Sequence, residues 1–278
     1  FSRVTPSSEF QWAVSANIGT YKTELTDLPS NVINKYAGDG VHDLILGRSP
    51  NSAYGLVADG IFKTQEEVDA HADQPGKAVG RIRYKDLDGD GVINETYDRT
   101  WIGCYDPDFF GGLNFDFAYK GFDLNLFFEG MFGNDVNSDW KKESDIWLFT
   151  NPAWKNHATR MLGGWSPDNP NSDIPAISNN TANQEQRFSS WFIEDGSYIK
   201  LRNIELGYTF PTKLIKKMHM SNLRLYAAAY NVFTLKKFWG DDKYTSFDPE
   251  RPSYHYLTPF TFNFGINVSF LNLINKLL

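Results

Sequence analysis

Period-two alternation of apolar and polar side chains is the feature that most limits what this chain can fold into. Phe10, Trp12, Val14, Ala16 and Ile18 share one phase, and Gln11, Ser15 and Asn17 hold the other. Phe109, Gly111, Leu113, Phe115, Phe117 and Tyr119 repeat the pattern against Asn114 and Asp116. After a tight turn at Lys120-Gly121, Phe122, Leu124, Leu126 and Phe128 oppose Asp123, Asn125 and Glu129. The cleanest case is Phe260, Phe262, Phe264, Ile266, Val268 and Phe270, interleaved with Thr261, Asn263, Gly265, Asn267 and Ser269. Successive side chains of a strand point to opposite faces, so each segment predicts a strand with one apolar and one polar side.

Two further strands are less regular. In 197–209, Ile199 and Leu201 stand in one phase and Ile204, Leu206 and Tyr208 in the other, which predicts a bulge or a wet end at Lys200 and Arg202. In 222–233, Leu223, Leu225, Ala227 and Ala229 fall together. Shorter candidates at 41–47 and 54–63 bring the expected strands to eight. The links at 48–53, 120–121 and 211–221 are short or moderate, whereas 22–40, 64–108, 134–196 and 234–258 are mostly long. Successive turns of an antiparallel meander emerge at opposite ends, so the long links belong at one end, as in outer-membrane barrels. A soluble antiparallel protein with elaborated loops fits the same pattern. Aromatic residues near strand ends, including Trp12, Tyr119, Phe122, Tyr208 and Phe233, lean toward the membrane reading.

Composition narrows the functional classes. A net charge of −7 with no basic run excludes a broad nucleic-acid footprint. Cys104 is the sole cysteine, so there is neither an intramolecular disulfide framework nor a cysteine-based zinc cluster. No apolar run approaches the roughly 20 residues of a membrane helix, but barrel strands of roughly 9–11 residues remain compatible with the mean hydropathy of −0.44. The opening FSRVTPSSEF has no initiator methionine and no signal-peptide pattern, and reads as an internal start.

The sharpest local motif is Asp86-Leu87-Asp88-Gly89-Asp90-Gly91-Val92-Ile93. Carboxylates at alternate positions can converge on a hard cation, Gly91 permits a sharp turn, Val92 can offer its carbonyl and Ile93 can anchor the loop in apolar packing. A helix–loop–helix calcium site wants a carboxylate at its twelfth position, which here is Tyr97, with Asp98 one place later. The expected ligands are therefore Asp86, Asp88, Asp90, Val92 and Asp98 around a structural Ca²⁺, with an acidic turn free of metal, or another ion, as the alternatives. Catalysis has no comparable support. His42, His71, His157, His219 and His255 form no HExxH or triad spacing, and GxSxG, P-loop and dinucleotide fingerprints are absent. The pairs Asp106/Asp108, Asp241/Asp242 and Asp248/Glu250 read as loop acidity. Trp140, Trp147, Trp154, Trp165, Trp191 and Trp239 all lie in the long links, where they could contact a substrate or pack the loops together.

Taken in order, Asp59-Gly60-Ile61-Phe62 with the following QEEV, RIRYKDLDGDGVIN, Ile102-Gly103 before Asp106-Pro107, GGLNFDFAYKGFDLNLFFEGMFGN, SYIKLRNIELGYTFP, LRLYAAAYNVFTLKKFWGDDKY and TPFTFNFGINVSF resemble the C-terminal portion of the SusC/RagA family of TonB-dependent outer-membrane transporters. The resemblance implies an all-β fold, an antiparallel transmembrane β-barrel, of which residues 1–270 would be about the last eight strands out of 22. Residues 271–278 would then be an atypical C-terminal extension beyond the terminal aromatic assembly signal. It also implies no catalytic activity, a bacterial outer-membrane location in contact with lipid, and a SusD-type surface lipoprotein partner. TonB would supply energy through an N-terminal region absent from this chain, and the cargo would be an oligosaccharide or peptide, met through loops 134–196 and 234–258. The alternative from another class is a secreted β-rich, calcium-stabilised carbohydrate-binding module; an extracellular glycoside hydrolase ranks third.

Overall fold

The computed structural model describes residues 2–3, 9–31, 44–146, 157–178, 182, 184–236, 245–252 and 256–270. Thirteen strands form among them: β1 (Ser2–Arg3), β2 (Phe10–Gly19), β3 (Ser52–Leu56), β4 (Ala58–Ile61), β5 (Ile82–Tyr84), β6 (Arg99–Cys104), β7 (Phe109–Tyr119), β8 (Phe122–Phe132), β9 (Asp135–Asn137), β10 (Ile193–Asp195), β11 (Tyr198–Thr209), β12 (Met220–Lys236) and β13 (Thr261–Phe270). Seven of them pair antiparallel in the order β1-β2-β7-β8-β11-β12-β13, and three two-stranded sheets, β3-β6, β4-β5 and β9-β10, stand apart.

This arrangement corrects the expectation of a transmembrane β-barrel. The main sheet is open, with β1 and β13 at its two edges and no pairing between them among the described residues. The expected eight strands are also revised. The segment 54–63 is shared between β3 and β4, which pair with β6 and β5 rather than with the main sheet. Within 41–47, residues 44–47 form no strand and 41–43 lie outside the described residues, as do 271–278. Local β-preference made these segments look like sheet members, but a strand's partner is set by tertiary packing that propensity does not carry.

Register accounts for the two-sidedness of the main sheet. Residues directly opposite one another share a face, and the pairs Val14↔Phe115, Phe115↔Leu126, Leu126↔Ile204, Ile204↔Ala229 and Ala229↔Phe262 run across six strands without a polar side chain. The neighbouring row, Ala13↔Asp116↔Asn125↔Glu205↔Ala228↔Asn263, is largely polar. The expected irregularity in β11 is a register shift between Leu201 and Asn203, present against both β8 and β12. It leaves Arg202 as the extra residue, so Leu201 opposite Phe128 and Ile204 opposite Leu126 reach the same side despite their opposite sequence phases.

The apolar side has little protein over it: Ile18, Leu206, Phe264 and Ile266 are 78%, 51%, 78% and 66% exposed. The packed core lies elsewhere. Leu56, Ile61, Ile82, Tyr84, Ile93, Ile146 and Phe192 form one buried cluster, drawn from the connections 20–108 and 133–197. Because β2, β7, β8, β11, β12 and β13 alternate in direction, both of these connections and 237–260 emerge at one end of the sheet, and the turn at 120–121 and the link 210–219 at the other. We call the clustered end the cap.

Two buried side chains pair with the backbone of β5 inside the cap. Gln74 closes the edge of β5, its Nε2 donating to the Ile82 carbonyl at 2.7 Å and its Oε1 accepting from the Tyr84 amide at 3.0 Å. Glu185 accepts from the Ile82 amide and from Arg81, each at 2.8 Å, in an ion pair that is almost wholly buried. Burial raises the Glu185 carboxyl pKa, against the lowering pull of Arg81. Deleting methyl groups from such a packed cluster leaves a cavity, so Ile82→Ala is expected to cost about 2–5 kcal/mol. Phe264→Ala, on the uncovered side, should change cap stability by less than about 0.5 kcal/mol. Denaturant titration of the detergent-solubilised protein, followed by protease nicking in the cap, measures both.

Candidate functional site

Leaving β5 at the buried Tyr84, the chain enters the acidic loop. Gly89 and Gly91 have φ of +77° and +86°, backbone conformations that glycine adopts without the Cβ penalty. They turn their amides back onto Asp86, at 2.7 Å to Oδ1 and 2.9 Å to Oδ2. Asp88 accepts from the Asp90 amide at 3.1 Å, and Asp90 from the Val92 amide at 2.7 Å. Ile93, 1% exposed, drives into the cap core as its side chain predicts. Its amide donates to the Asp73 carbonyl at 2.9 Å, which ties the loop to the segment before β5.

Asp98 closes the loop. It is fully buried, and its two oxygens accept from the Leu87 amide at 2.8 Å and the Asn94 amide at 2.7 Å. Asn94 caps a turn by accepting from the Thr96 and Tyr97 amides, each at 2.9 Å. That extra turn puts Tyr97 out into solvent and brings Asp98 in, so the one-place offset in sequence is absorbed by the path of the backbone. Carboxylate oxygens of Asp86, Asp88 and Asp98 lie within 4.8 Å of one another. Asp90 is not part of that group, and the Val92 carbonyl accepts from the Asn94 side chain at 3.4 Å.

Three carboxylates so close repel one another. For Asp88 the amide of Asp90 pulls the pKa down, but desolvation and the charges of Asp90 and Asp98 outweigh it and raise the carboxyl. For Asp86 desolvation works upward, but the amides of Gly91 and Gly89 hold the carboxylate below its usual range. A divalent cation would relieve the repulsion, and hard oxygen donors suit one. The expectation of calcium is corrected to this coarser statement. The three-carboxylate cluster differs from the alternating set expected for a calcium loop, and nothing in it singles out calcium among divalent ions.

The polar side of the sheet is the second feature. Asn125 Nδ2 donates to Asn114 at 2.9 Å and to Asp116 at 2.7 Å, while its Oδ1 accepts from Asn203 at 3.1 Å. Arg224 bridges Asp123 and Glu205. Nearer the cap, Lys200 is 2% exposed and reaches Asp248 at 3.1 Å as well as Glu250. Arg202, the bulge residue, joins Glu129 at 2.6 Å and also Glu250. Segment 245–252 is thereby tied down over the polar side. The sequence flagged both halves of this tie, the irregular Lys200/Arg202 and the acidic Asp248/Glu250, without connecting them, because they are separated by about fifty residues and by one whole strand.

Of the tryptophans proposed to meet a substrate, Trp165 and Trp191 pack against the cap core, and the Trp140 ring lies 4.7 Å from that of Phe247. Trp147, Trp154 and Trp239 lie outside the described residues.

A sheet apolar and uncovered on one side and hydrogen-bonded and charged on the other has the side-chain distribution of one that meets lipid with the first and water with the second. No family model matches the chain. Among curated proteins it is 30% identical to TonB-dependent receptor P3 of Formosa agariphila, over 97% of this chain and 28% of the relative. It is 25% identical to TonB-dependent receptor SusC of Bacteroides thetaiotaomicron, over 95% of this chain and 25% of SusC. Among solved structures, the RagAB peptide transporter superposes on 96% of this chain with a TM-score of 0.70 and 21% identity, using 28% of that chain. A structure of the RagAB peptide importer in its closed-closed state gives 0.65 and 22%. At that identity the superposition speaks for the fold.

The chain is homologous, at the family level, to the TonB-dependent receptors of the SusC/RagA family. It spans 28% of the length of the first curated relatives, in keeping with an open sheet. The homology supports an outer-membrane location and is consistent with a non-catalytic protein.

Three expectations follow. Asp98→Asn should weaken divalent-cation binding more than Asp90→Asn does, as read by the ion-dependent rise in melting temperature with Ca²⁺, Mg²⁺ and Mn²⁺ compared. Ligand carboxylates must be ionised, so affinity should be full above the carboxylate range and fall as acid protonates Asp88 before Asp86, because the pKa of the first is raised and that of the second lowered. Lys200→Met strands the carboxylates of Asp248 and Glu250 and should cost about 3–5 kcal/mol, visible as faster proteolysis within 245–252.

Proposed function

We propose that this chain is part of an outer-membrane importer of the SusC/RagA type that moves oligosaccharides or peptides with energy delivered through TonB. The observation that carries the reading is the homology along 97% of the chain, joined to a sheet whose apolar side is uncovered. In this reading the apolar side lies against outer-membrane lipid and the polar side toward the path of the cargo. The cap forms part of the external rim, where a SusD-type lipoprotein would meet the complete protein. TonB would engage sequence outside this chain.

The acidic loop has a structural part in this scheme. A divalent cation at Asp86, Asp88 and Asp98 would fasten the loop to the cap core through Ile93, holding the rim in shape while cargo binds. The tryptophans Trp140, Trp165 and Trp191 stiffen the cap, and substrate contact through loops 134–196 and 234–258 stays part of the proposal.

The test is cellular. The full-length gene product should sediment with the outer membrane, and uptake of its cargo should be abolished when TonB is deleted. Recovery as a soluble periplasmic protein would refute the assignment, as would uptake that persists without TonB.

A further inference from the structure

The end of the sheet away from the cap carries charge of the opposite sign to the chain as a whole. In a protein of net charge −7, the link 210–219 contains Lys213, Lys216 and Lys217 and no acidic residue. Thr212–Ile215 forms a single helical turn and Lys216–Met218 a 3₁₀ turn, and Ile215, 2% exposed, anchors them. All three lysines are exposed, and none stands in an ion pair among the described residues. Lys63, Lys141 and Lys200, at or near the cap, each pair with an acid, and at this same end Lys120 is held 3.1 Å from Glu9. Residues three and four apart in a helical turn are neighbours, so Lys213 lies beside Lys216 and Lys217, and like charges at that spacing repel one another.

Apolar side chains are interleaved with this charge. Leu214 and Met218 are 63% and 59% exposed. Exposed apolar groups among unpaired lysines are the make-up of a segment that lies in a membrane interface, where the apolar side chains enter the acyl boundary and the ammonium groups reach up to the headgroups. The sheet supplies the depth that this requires. Phe10↔Tyr119, Tyr119↔Phe122 and Phe122↔Tyr208 are register partners, so an aromatic row crosses the apolar side at this end, and Phe10, Tyr119 and Phe122 are exposed. Phe210, whose ring lies 5.0 Å from that of Tyr208, continues the row into the link. Rings of this kind settle at the level of lipid headgroups, which sets Lys213, three residues further on, among their phosphates.

We propose that Lys213, Lys216 and Lys217 bind the phosphate of an anionic phospholipid in the leaflet away from the cap, with Leu214 and Met218 against its acyl chains. The phosphate supplies the counter-charge that the chain withholds from these lysines, and the bound lipid fixes the depth of this end of the sheet. An acidic protein partner would match the charges but leave the two apolar side chains and the aromatic row without a role, and free phosphate would do the same. The inference rests on the import reading in one respect, that the apolar side of the sheet meets lipid.

Native mass spectrometry of the detergent-solubilised full-length protein, offered phosphatidylglycerol and phosphatidylcholine with the same acyl chains, tests the site apart from transport. The protein should retain phosphatidylglycerol about 10-fold or more over phosphatidylcholine, and the preference should shrink at high salt as screening sets in. Replacing all three residues, Lys213→Gln, Lys216→Gln and Lys217→Gln, should remove most of it, and arginine at the same three positions should keep it. Lys22→Gln with Lys63→Gln, which takes charge from the cap end, should leave it unchanged. If the triple glutamine variant fails to fold, Lys217→Gln alone decides, with an expected loss of about 2-fold or more. Equal retention of the two lipids overturns the proposal, as does a preference that survives the glutamine variants or is lost in the cap variant, or an oligoaspartate peptide or inorganic phosphate that binds as tightly as phosphatidylglycerol. Cargo uptake by cells is scored separately: uptake that persists without TonB, with the lipid preference intact, sinks the import reading and leaves the site standing, and TonB-dependent uptake with equal retention of the two lipids does the reverse.

Discussion

Cross-strand register, held over every pairing from β2 to β13, is the constraint on which the other features rest. A slip of one residue in any strand would carry its whole apolar set to the opposite side. At the bulge of Arg202 sequence phase and register disagree, and against β8 the backbone absorbs the disagreement by leaving a single residue unpaired in the ladder. That residue is put to use. Arg202 leaves the strand-pair geometry and gains Glu129 and Glu250 as partners, so the irregularity that keeps one side apolar also helps fasten the cap to the other.

The molecule divides its stabilisation between two environments. In the cap, burial of Leu56, Ile82, Tyr84 and Phe192 follows the ordinary logic of removing apolar surface from water. In the sheet, the backbone ladders and the asparagine, aspartate and arginine bridges of the polar side provide the order, and the apolar side is left to its surroundings. Lys200 stands at the junction. Burying an ammonium is tolerable only where its counter-charges are already in place, so the tie to Asp248 and Glu250 makes the folding of segment 245–252 a condition for the end of β11 to be dry.

Strands with strict alternation were legible from sequence, because period two needs only the nearest neighbours along the chain. β2, β7, β8 and β13 emerge where the pattern puts them, and the split phase of 197–209 announces its bulge. Closure was not legible. Whether two edges meet depends on strands that are paired in space, and among the described residues the two edges of this sheet do not pair. The small sheets of the cap were equally hidden, since β3 to β6 are short and buried among partners far away in sequence. In the acidic loop, the sequence put Asp86, Asp88 and Asp98 among the expected ligands; what counting residues does not capture is the Asn94 turn that brings Asp98 in despite its one-place offset.

β13 also poses a problem of passage. Its ten residues, Thr261–Phe270, contain no charge and no proline, and among the described residues one edge of the strand is unpaired. Proteins that live in water blunt such an edge with lysine, proline or a covering loop, because a flat apolar edge is a template for another chain. In the proposed outer-membrane setting a chain with this edge would cross an aqueous compartment before it reached lipid, and masking of β13 there would protect it; the same bareness that is hazardous in water leaves the strand ready to accept a neighbouring strand.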